Sequence, residues 1–406
     1  MFLKKIPKRT LLFNPGEFKD IWNLLCAHNI KEGNFIKEFE EKFKHFVEVK
    51  EAIAVSSGRF GLYLILRSLG LNKGDNVLLS AYNFKGVPKA LLQDGFNPIF
   101  IDADEKTYQI NPVQIEKRID GKVKAIILTH LFGQSCEIDK IRDIAGKKNL
   151  FLIEDAAHSL GSYYHGKHTG SFGQAGFFSF AGSKTLNTSF GGMIVTNDSG
   201  LANKIRQKLG KYNFPTISRL LKERITTYIH ALLTQRLFYS LTEYPLTLLM
   251  SIFQLDPLEI YKSFKHRETS EIKMRFSNLQ ALLGLRQMGN LSTLISRRKT
   301  AADKILQRLD SSISSQSIPY NSQPNYFMFP LKAKDKQRVF KSLLLSGIDS
   351  NLNYANDCSG MCKDTNAPAA RFLSKSILTI QLPFYLNDKE IDHIASSLNR
   401  IKELLY

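Results

Sequence analysis

The residues best suited to chemistry lie in the stretch 149–197 of this 406-residue chain. An apolar run there ends in Asp155, and Lys184 stands in small, flexible surroundings between strand-like runs at 176–180 and 192–196. A carboxylate just past a buried strand and a lysine held on a turn are what a pyridoxal phosphate (PLP) enzyme needs. The lysine forms a Schiff base, and the carboxylate keeps the cofactor ring nitrogen protonated so that the ring accepts electrons. We therefore predict Lys184 and Asp155 as catalytic residues of a PLP site.

A second feature is a turn of small residues that precedes a helix-like pattern. The β-branched run 53–55 reaches Ser57 and Gly58, and apolar residues at helical spacing follow at once. A strand, a small-residue turn and a helix N-terminus together bind phosphate through free backbone N–H groups. The dinucleotide fingerprint G-x-G-x-x-G is absent from this stretch. Because Ser-Gly turns before helices are common, the residues alone leave an ordinary helix start as the alternative.

Strand-like and helix-like segments alternate through the first half of the chain. Apolar runs at 97–102, 124–130 and 151–155 are each separated by helix-like sequence. This alternation predicts a mainly parallel sheet with right-handed crossovers, flanked by helices. Ligands of such sheets bind beyond the carboxyl ends of the strands, which is where Asp155 and Ser179 fall.

Four motifs follow one another between residues 154 and 198: EDAAHS, GSFG, FFSFAGSKTL and GGMIVTND. Their order and spacing resemble the DegT-type sugar aminotransferases, which have PLP fold type I. The resemblance covers about residues 30–210 and 270–400. It implies a PLP-binding large α/β domain over 14–290, with a mainly parallel seven-stranded sheet flanked by helices, and a smaller C-terminal α/β domain over 291–406.

The resemblance also implies which residues hold the cofactor phosphate. These are Ser57, Gly58, the backbone of Arg59, and Ser179. Arg59 and Gly61 stand where the family pattern has a threonine and an alanine. That change removes a hydroxyl contact, whereas the backbone donors remain.

Three further residues are implied around the cofactor. Phe84 would stack on its ring, which is favourable by about 1 kcal/mol, and His158 would hydrogen-bond its phenolic oxygen. Arg275 matches an arginine or asparagine that reaches the phosphate of a neighbouring subunit, so a homodimer with a shared site is implied. The residues alone leave plainer alternatives: core packing for Phe84, a packed histidine for His158 and a surface cation for Arg275.

The charge balance favours anionic ligands. The chain has 56 Lys and Arg against 37 Asp and Glu, a formal net charge of +19. Zinc fingers, the RNP aromatic pattern and a basic region with heptads are absent, so nucleic acid is not predicted as a partner. A phosphate-bearing cofactor and a nucleotide-diphosphate substrate account for part of the excess, and solvated surface lysine for most of it.

The compartment follows from the cysteines and the N-terminal sequence. Four scattered cysteines predict free thiols in a reducing cytoplasm and no metal site. The stretch MFLKKIPKRT has charges but no apolar region after them, so no secretory signal is expected. We therefore predict a cytoplasmic protein.

Residues 214–264 form a helix-like insertion, longer than the connection expected from the family. The run 237–255 approaches the length of a membrane span but contains Glu243 and Pro245, so a span is not predicted. Basic residues crowd upstream, so an apolar face flanked by positive charge could rest on the inner face of a membrane. The alternative is a helical hairpin that caps the substrate pocket or extends a dimer contact.

With the resemblance, these features predict a PLP-dependent aminotransferase. It would transfer an amino group from glutamate to a nucleotide-activated keto sugar, for surface polysaccharide or amino-sugar biosynthesis. Related sugar dehydratases carry histidine in place of the Schiff-base lysine, so Lys184 favours transamination over dehydration. A non-catalytic sensor or membrane-associated assembly protein with the same fold is the other alternative. The segment 350–365, where the family usually has a tyrosine-proline-histidine substrate loop, is degenerate here, so specificity is the least transferable part.

Overall fold

The computed structural model describes residues 5–9, 11, 16–182, 184–252, 272–362 and 366–406. The strands are β1 (Glu51–Val55), β2 (Asn76–Ser80), β3 (Tyr82–Asn83), β4 (Asn97–Ile101), β5 (Val123–Thr129), β6 (Phe151–Asp155), β7 (Tyr163–Tyr164), β8 (Lys167–His168), β9 (Ala175–Ser179), β10 (Gly192–Thr196), β11 (Ser322–Gln323), β12 (Phe329–Lys332), β13 (Asn356–Asp357) and β14 (Ile377–Ile380). The α-helices are α1 (Glu17–Cys26), α2 (Phe35–Val47), α3 (Gly58–Ser68), α4 (Gly86–Gln93), α5 (Pro112–Ile115), α6 (Ile138–Lys147), α7 (Ser199–Leu209), α8 (Ile217–Leu233), α9 (Arg236–Leu241), α10 (Glu243–Ile252), α11 (Asn278–Met288), α12 (Leu291–Arg308), α13 (Lys336–Leu345), α14 (Pro368–Ser376) and α15 (Asp388–Arg400).

The largest sheet has seven strands in the order β1-β10-β9-β6-β5-β2-β4. The pairs from β9 to β4 are parallel, whereas β10 pairs antiparallel with both β1 and β9. Most of these strands are buried along nearly their whole length, as expected for a sheet covered on both faces. The predicted mainly parallel α/β sheet is therefore confirmed.

The strand directions bring three chain segments to one edge of this sheet. β6 and β9 are parallel neighbours, so Asp155 and Ser179 end at the same edge. β1 is antiparallel to β10, which is antiparallel to β9, so β1 runs in the direction of β9 and Val55 also ends there. The predicted phosphate turn, which follows Val55, therefore lies on the edge that carries Asp155.

A second core forms around the antiparallel pair β12–β14. Apolar residues of α12, α13 and α15 pack against this pair, including Ile305, Leu343 and Ile394. This unit lies within the predicted smaller C-terminal domain, and the boundary at residue 291 stays a prediction.

The insertion begins as three helices, α8, α9 and α10, and its residues from 253 to 264 lie outside the described part of the chain. Thr242 separates α9 from α10, so the apolar run that starts at residue 237 is not one helix. At one end Arg224 of α8 forms a buried ion pair with Glu17 of α1. At the other end Tyr239 of α9 hydrogen-bonds the buried carboxylate of Asp349. Among the described helices, none combines the length and apolar character needed to cross a membrane.

Candidate active site

The structure brings Asp155 and Lys184 together at the carboxyl edge of the seven-stranded sheet. Asp155 is the buried last residue of β6, and its Oδ1 accepts a hydrogen bond from the Ala157 N–H at 3.1 Å. Lys184 lies in the connection between β9 and β10, and its charge interacts with that of Asp155. The two predicted catalytic groups are therefore near enough to act on one ligand.

Burial changes the acid–base properties of both groups. Burial of the Lys184 ammonium lowers its pKa to about 7, although attraction to Asp155 opposes this shift. Burial raises the pKa of Asp155, while the Ala157 amide and Lys184 act in the opposite direction. A large share of Lys184 is therefore an uncharged amine at neutral pH, which is the form that attacks a carbonyl carbon.

The neighbouring carboxylate, Glu154, has a different role. It points to the opposite face of β6 from Asp155, because side chains alternate along a strand. Its Oε2 lies 2.9 Å from His130 Nε2, and its oxygens also accept from the amides of Gly170 and Gly173 at 2.7 and 2.8 Å. Burial raises the pKa of Glu154, but His130 and these donors outweigh burial and the pKa is lowered. Glu154 is thus fully engaged in holding the loop after β8, which leaves Asp155 to meet a ligand.

A tyrosine that the sequence analysis missed connects Lys184 to His158. Tyr354 Oη lies 3.3 Å from Lys184 Nζ and 3.1 Å from His158 Nε2. His158 Nδ1 accepts from the Phe132 N–H at 3.3 Å, so the neutral ring carries its proton on Nε2 and donates to Tyr354. Burial and the charge of Lys184 keep the pKa of His158 well below its usual value. The ring of His158 also stacks on Phe327, with centroids 4.9 Å apart.

Strand pairing between distant parts of the chain carries Tyr354 to the site. β13 begins two residues after Tyr354 and pairs antiparallel with β3, which directly precedes Phe84. Tyr354 belongs to the segment 350–365, which does not match the substrate loop of the family. The feature that could have identified it is its side chain, an aromatic ring with a hydroxyl group. The pairing also brings Phe84 near it, with ring centroids 6.3 Å apart. Phe84 is 38% exposed, so its ring borders open space and is available to a ligand.

The predicted phosphate turn lies against the end of β9. Ser57 is the N-cap of α3, and its hydroxyl accepts from the Phe60 N–H at 3.1 Å. Gly58 starts the helix, and a Cβ added there would lie 3.4 Å from the Cβ of Ser179. The start of α3 therefore lies directly against the end of β9, where Ser179 stands. Backbone N–H groups at a helix N-terminus together with a nearby hydroxyl fit a phosphate group.

Arg275 lies beside the strand that leads into this turn, but its guanidinium contacts other residues. Its backbone bridges to Val55, its guanidinium is 4.0 Å from the ring centroid of Phe214, and it pairs with Glu32 at 3.8 Å. Among the described contacts, none joins it to Lys184. The expected reach of Arg275 to the cofactor phosphate of a second subunit stays a prediction.

The sheet topology, the lysine–carboxylate pair and the phosphate turn define the class of a fold type I PLP enzyme. Among the described residues, no group of histidines, cysteines and carboxylates is arranged to hold a metal ion. The profile of the DegT/DnrJ/EryC1/StrS aminotransferase family matches residues 15–237 and 243–399. The chain therefore belongs to this family, and membership confirms the expected fold type and PLP as the cofactor.

Two curated relatives illustrate the sequence similarity. GDP-perosamine synthase of Escherichia coli O157:H7 is 42% identical over 173 residues, which is 43% of this chain and 48% of the relative. dTDP-3-amino-3,6-dideoxy-alpha-D-galactopyranose transaminase of Aneurinibacillus thermoaerophilus is 37% identical over 174 residues, 43% of this chain and 48% of the relative. The chain spans about half the length of the curated relatives it matches.

Solved structures extend the similarity to the whole fold. An aminotransferase from Psychrobacter cryohalolentis has a TM-score of 0.77 at 22% identity, covering 99% of both chains. The sugar aminotransferase CalS13 from Micromonospora echinospora has a TM-score of 0.77 at 17% identity, covering 97% of this chain and 99% of the other. At these identities the similarity establishes the fold alone.

Proposed function

We propose that this protein is a PLP-dependent aminotransferase that moves an amino group from glutamate to a nucleotide-activated keto sugar. Such a reaction would serve surface polysaccharide or amino-sugar biosynthesis. The observation that carries the proposal is the partly buried amine of Lys184 beside the carboxylate of Asp155, where desolvation lowers the lysine pKa to about 7. A non-catalytic sensor would have no use for a lysine desolvated in this way, because its burial costs stability.

The residues at the carboxyl edge of the sheet fit the cofactor. Asp155 would pair with the pyridine nitrogen. The phosphate would be held by Ser57, Gly58, the Arg59 backbone and Ser179. The cofactor ring would be contacted by Phe84 and His158. When bound, PLP supplies an electron sink for the substrate carbon that loses its proton.

The chain's own residues would handle the proton. The uncharged Lys184 amine would accept a proton from the α-carbon of the amino donor and, in the second half of the reaction, would deliver a proton to the sugar carbon that gains the amino group. Tyr354 accepts a hydrogen bond from the His158 Nε2–H, so its oxygen is held in place beside Lys184 Nζ. The contact between Lys184 Nζ and this oxygen would orient the amine whenever Lys184 is not bonded to the cofactor. Asp155 keeps a negative charge near the amine and so limits how far its pKa falls.

The substrate class is supported by the relatives and by charge. GDP-perosamine synthase and the dTDP-amino-sugar transaminase are each named for a sugar carried on a nucleoside diphosphate. A net charge of +19 favours such anionic substrates. The presence of Lys184 argues against the dehydratase alternative, in which histidine replaces that lysine.

We also propose a homodimer with a shared site and a cytoplasmic location. The family resemblance supports the dimer, because Arg275 matches a residue that reaches the phosphate of a neighbouring subunit, and its side chain is partly exposed. Peripheral contact with the inner face of a membrane through 214–264 belongs to the same proposal. This contact is supported by a set of exposed apolar side chains on α8 to α10, together with the exposed Lys222 of α8.

The deciding experiment follows the visible absorbance of protein reconstituted with PLP. Addition of L-glutamate should remove the absorbance of the lysine-bound cofactor, and a nucleotide-linked keto sugar should restore it. With ¹⁵N-glutamate the label should appear in the sugar product. Protein that stays colourless with PLP would support the sensor alternative, and a sugar product that loses water without gaining nitrogen would support the dehydratase alternative.

A further inference from the structure

The most deeply buried arginine of the described chain lies next to the proposed active site without an acidic partner. Arg298 of α12 is 1% exposed. Its Nη1 donates to Thr185 Oγ1 at 3.1 Å, whereas its Nε has no hydrogen-bond partner among the described residues. Burial lowers the pKa of Arg298 to about 9, and no carboxylate opposes that shift. The guanidinium is therefore a desolvated cation whose Nε–H has no hydrogen-bond partner among the described residues.

Two contacts connect Arg298 to Lys184. Its hydrogen-bond partner Thr185 directly follows Lys184 in the chain. Both cations also share the ring of Phe327 as a neighbour, with Lys184 Nζ at 4.9 Å and the Arg298 guanidinium carbon at 5.9 Å from its centroid. On another side the guanidinium lies 4.3 Å from the ring centroid of Phe384.

A second buried arginine shows what a compensated guanidinium looks like in the same chain. Arg224 is 3% exposed, and although its Nε also lacks a hydrogen-bond partner among the described residues, it pairs with the carboxylate of Glu17, which also accepts from Tyr228 Oη at 2.9 Å. An unpaired buried ion costs several kcal/mol, so natural proteins almost always provide a partner. Burial of the Arg298 guanidinium carries the same unfavourable desolvation energy, but no carboxylate among the described residues offsets it. A buried charge without a counterion is typical of a group that binds a ligand.

We propose that Arg298 binds a carboxylate of the amino donor, which makes the donor an amino acid; this rests on the proposed aminotransferase function. The Nε–H and the adjacent Nη2–H form the edge of a guanidinium that receives a carboxylate through two parallel hydrogen bonds. The bond to Thr185 occupies Nη1 and so limits rotation of the guanidinium. The ring of Phe384 lies 4.3 Å from the guanidinium, so a carboxylate that binds there would require the Phe384 side chain to rotate.

Arg298→Met tests the proposal, with Arg297→Met as the matched control because Arg297 is the exposed neighbour on the same helix. In the PLP-loaded protein, Arg298→Met should raise the half-saturating concentration of L-glutamate by about 10- to 100-fold, the effect of losing a hydrogen-bonded charge pair. The limiting rate should change little, and Arg298→Lys should recover part of the loss. Propylamine, a donor without a carboxylate, should react equally with wild type, Arg298→Met and Arg297→Met.

A binding measurement separates this proposal from the proposed function. Glutarate, which has two carboxylates and no amine, should bind wild type and Arg297→Met in calorimetry but not Arg298→Met. If no donor changes the absorbance of the wild type, the proposed function fails, and glutarate binding still decides the role of Arg298. Equal weakening of glutamate and propylamine in Arg298→Met, with a lowered melting temperature, would show that Arg298 only supports the fold. Unchanged glutarate binding would overturn the proposal outright.

Discussion

Two regions of the molecule break the usual distribution of polar and apolar residues in opposite ways. One is the site around Lys184, and the other is the three-helix insert of residues 217–252. The site buries polar groups: Asp155 and His158 are 3% and 5% exposed, and Tyr354 hydrogen-bonds His158 beside them. The insert exposes apolar groups, such as Ile225 at 57% and Ile229 at 53%. A buried polar group is costly unless it is paired, and an exposed apolar cluster is costly unless it is covered.

The two regions differ in what offsets the unfavourable free energy of these groups. In the site, Asp155, His158 and Tyr354 each have a hydrogen-bond partner from the chain itself, so these side chains are held before any ligand arrives. On α8, Ile225, Ile229 and Leu232 recur at the spacing of one helix face, and that face meets solvent. The site is therefore preorganised by the chain, whereas the outer face of the insert is open to solvent.

The largest effect is expected from Lys184→Ala. Removal of the amine should abolish the visible absorbance of the lysine-bound cofactor and lower turnover by at least about 10³-fold, because nothing else in the site can form that bond. The thermal midpoint should not fall, since a desolvated ammonium is removed along with its cost. Lys167→Ala, at an exposed position, is the control. Turnover retained by Lys184→Ala would remove Lys184 from the mechanism.

The next effect concerns the anchor of the insert. Arg224→Met leaves the buried carboxylate of Glu17 without its partner and should cost about 3–5 kcal/mol in the free energy of unfolding. Lys222→Met, two residues away on the exposed side of α8, should cost less than about 0.5 kcal/mol. Urea unfolding followed by circular dichroism measures both. Equal values for the two variants would show that the ion pair does not hold the insert.

A third prediction concerns the titration of the site. Lysine is acylated only as the uncharged amine, so the acylation of Lys184 in cofactor-free protein should rise as the pH passes about 7. Asp155→Asn removes the negative charge that favours the ammonium, so the midpoint should move to lower pH. Competitive acetylation read by mass spectrometry measures the midpoint, with exposed Lys222 as the internal reference for the reagent. A midpoint that stays in place, or that moves upward, would contradict the pairing of Asp155 with Lys184.

Much of the fold could be predicted because its signals are local. Short apolar runs bounded by helical patterns predict parallel strands, and a parallel strand ends on a known edge of its sheet. Asp155 could be placed there from five residues of sequence. Lys184 could be predicted as the Schiff-base lysine because it stands between two strand-like runs. The family resemblance supplied the roles of the other site residues.

The residues that were missed depend on contacts between distant segments. Tyr354 reaches Lys184 across 170 positions, and only the pairing of β13 with β3 brings it there. Arg298 lies at helical spacing from Ile295, Ala302 and Ile305, so periodicity places it on the buried face of its helix, but its contacts with Thr185 and Phe327 depend on distant segments. Side-chain charge state also depends on burial, which the order of residues along the chain does not reveal.

The smallest effect on stability is expected on the exposed face of the insert. Ile229→Ala should change the free energy of unfolding by less than about 0.5 kcal/mol, because the side chain is already in water. Leu220→Ala on the same helix, where the side chain is 2% exposed, should cost about 2–5 kcal/mol.

Binding to a surface should show the reverse order. Flotation with vesicles that contain anionic lipid should fall by roughly tenfold for Ile229→Ala, because an isoleucine buried at a membrane is worth about 1.5 kcal/mol or more. Leu220→Ala should float as the wild type does, as long as it stays folded at the temperature of the assay. Wild-type protein that does not float, combined with a dimer that dissociates on Ile229→Ala, would instead assign this face to a second copy of the chain. In either case the effect of Ile229 would appear only when a second surface is present, which is the property that separates the insert from the preorganised site.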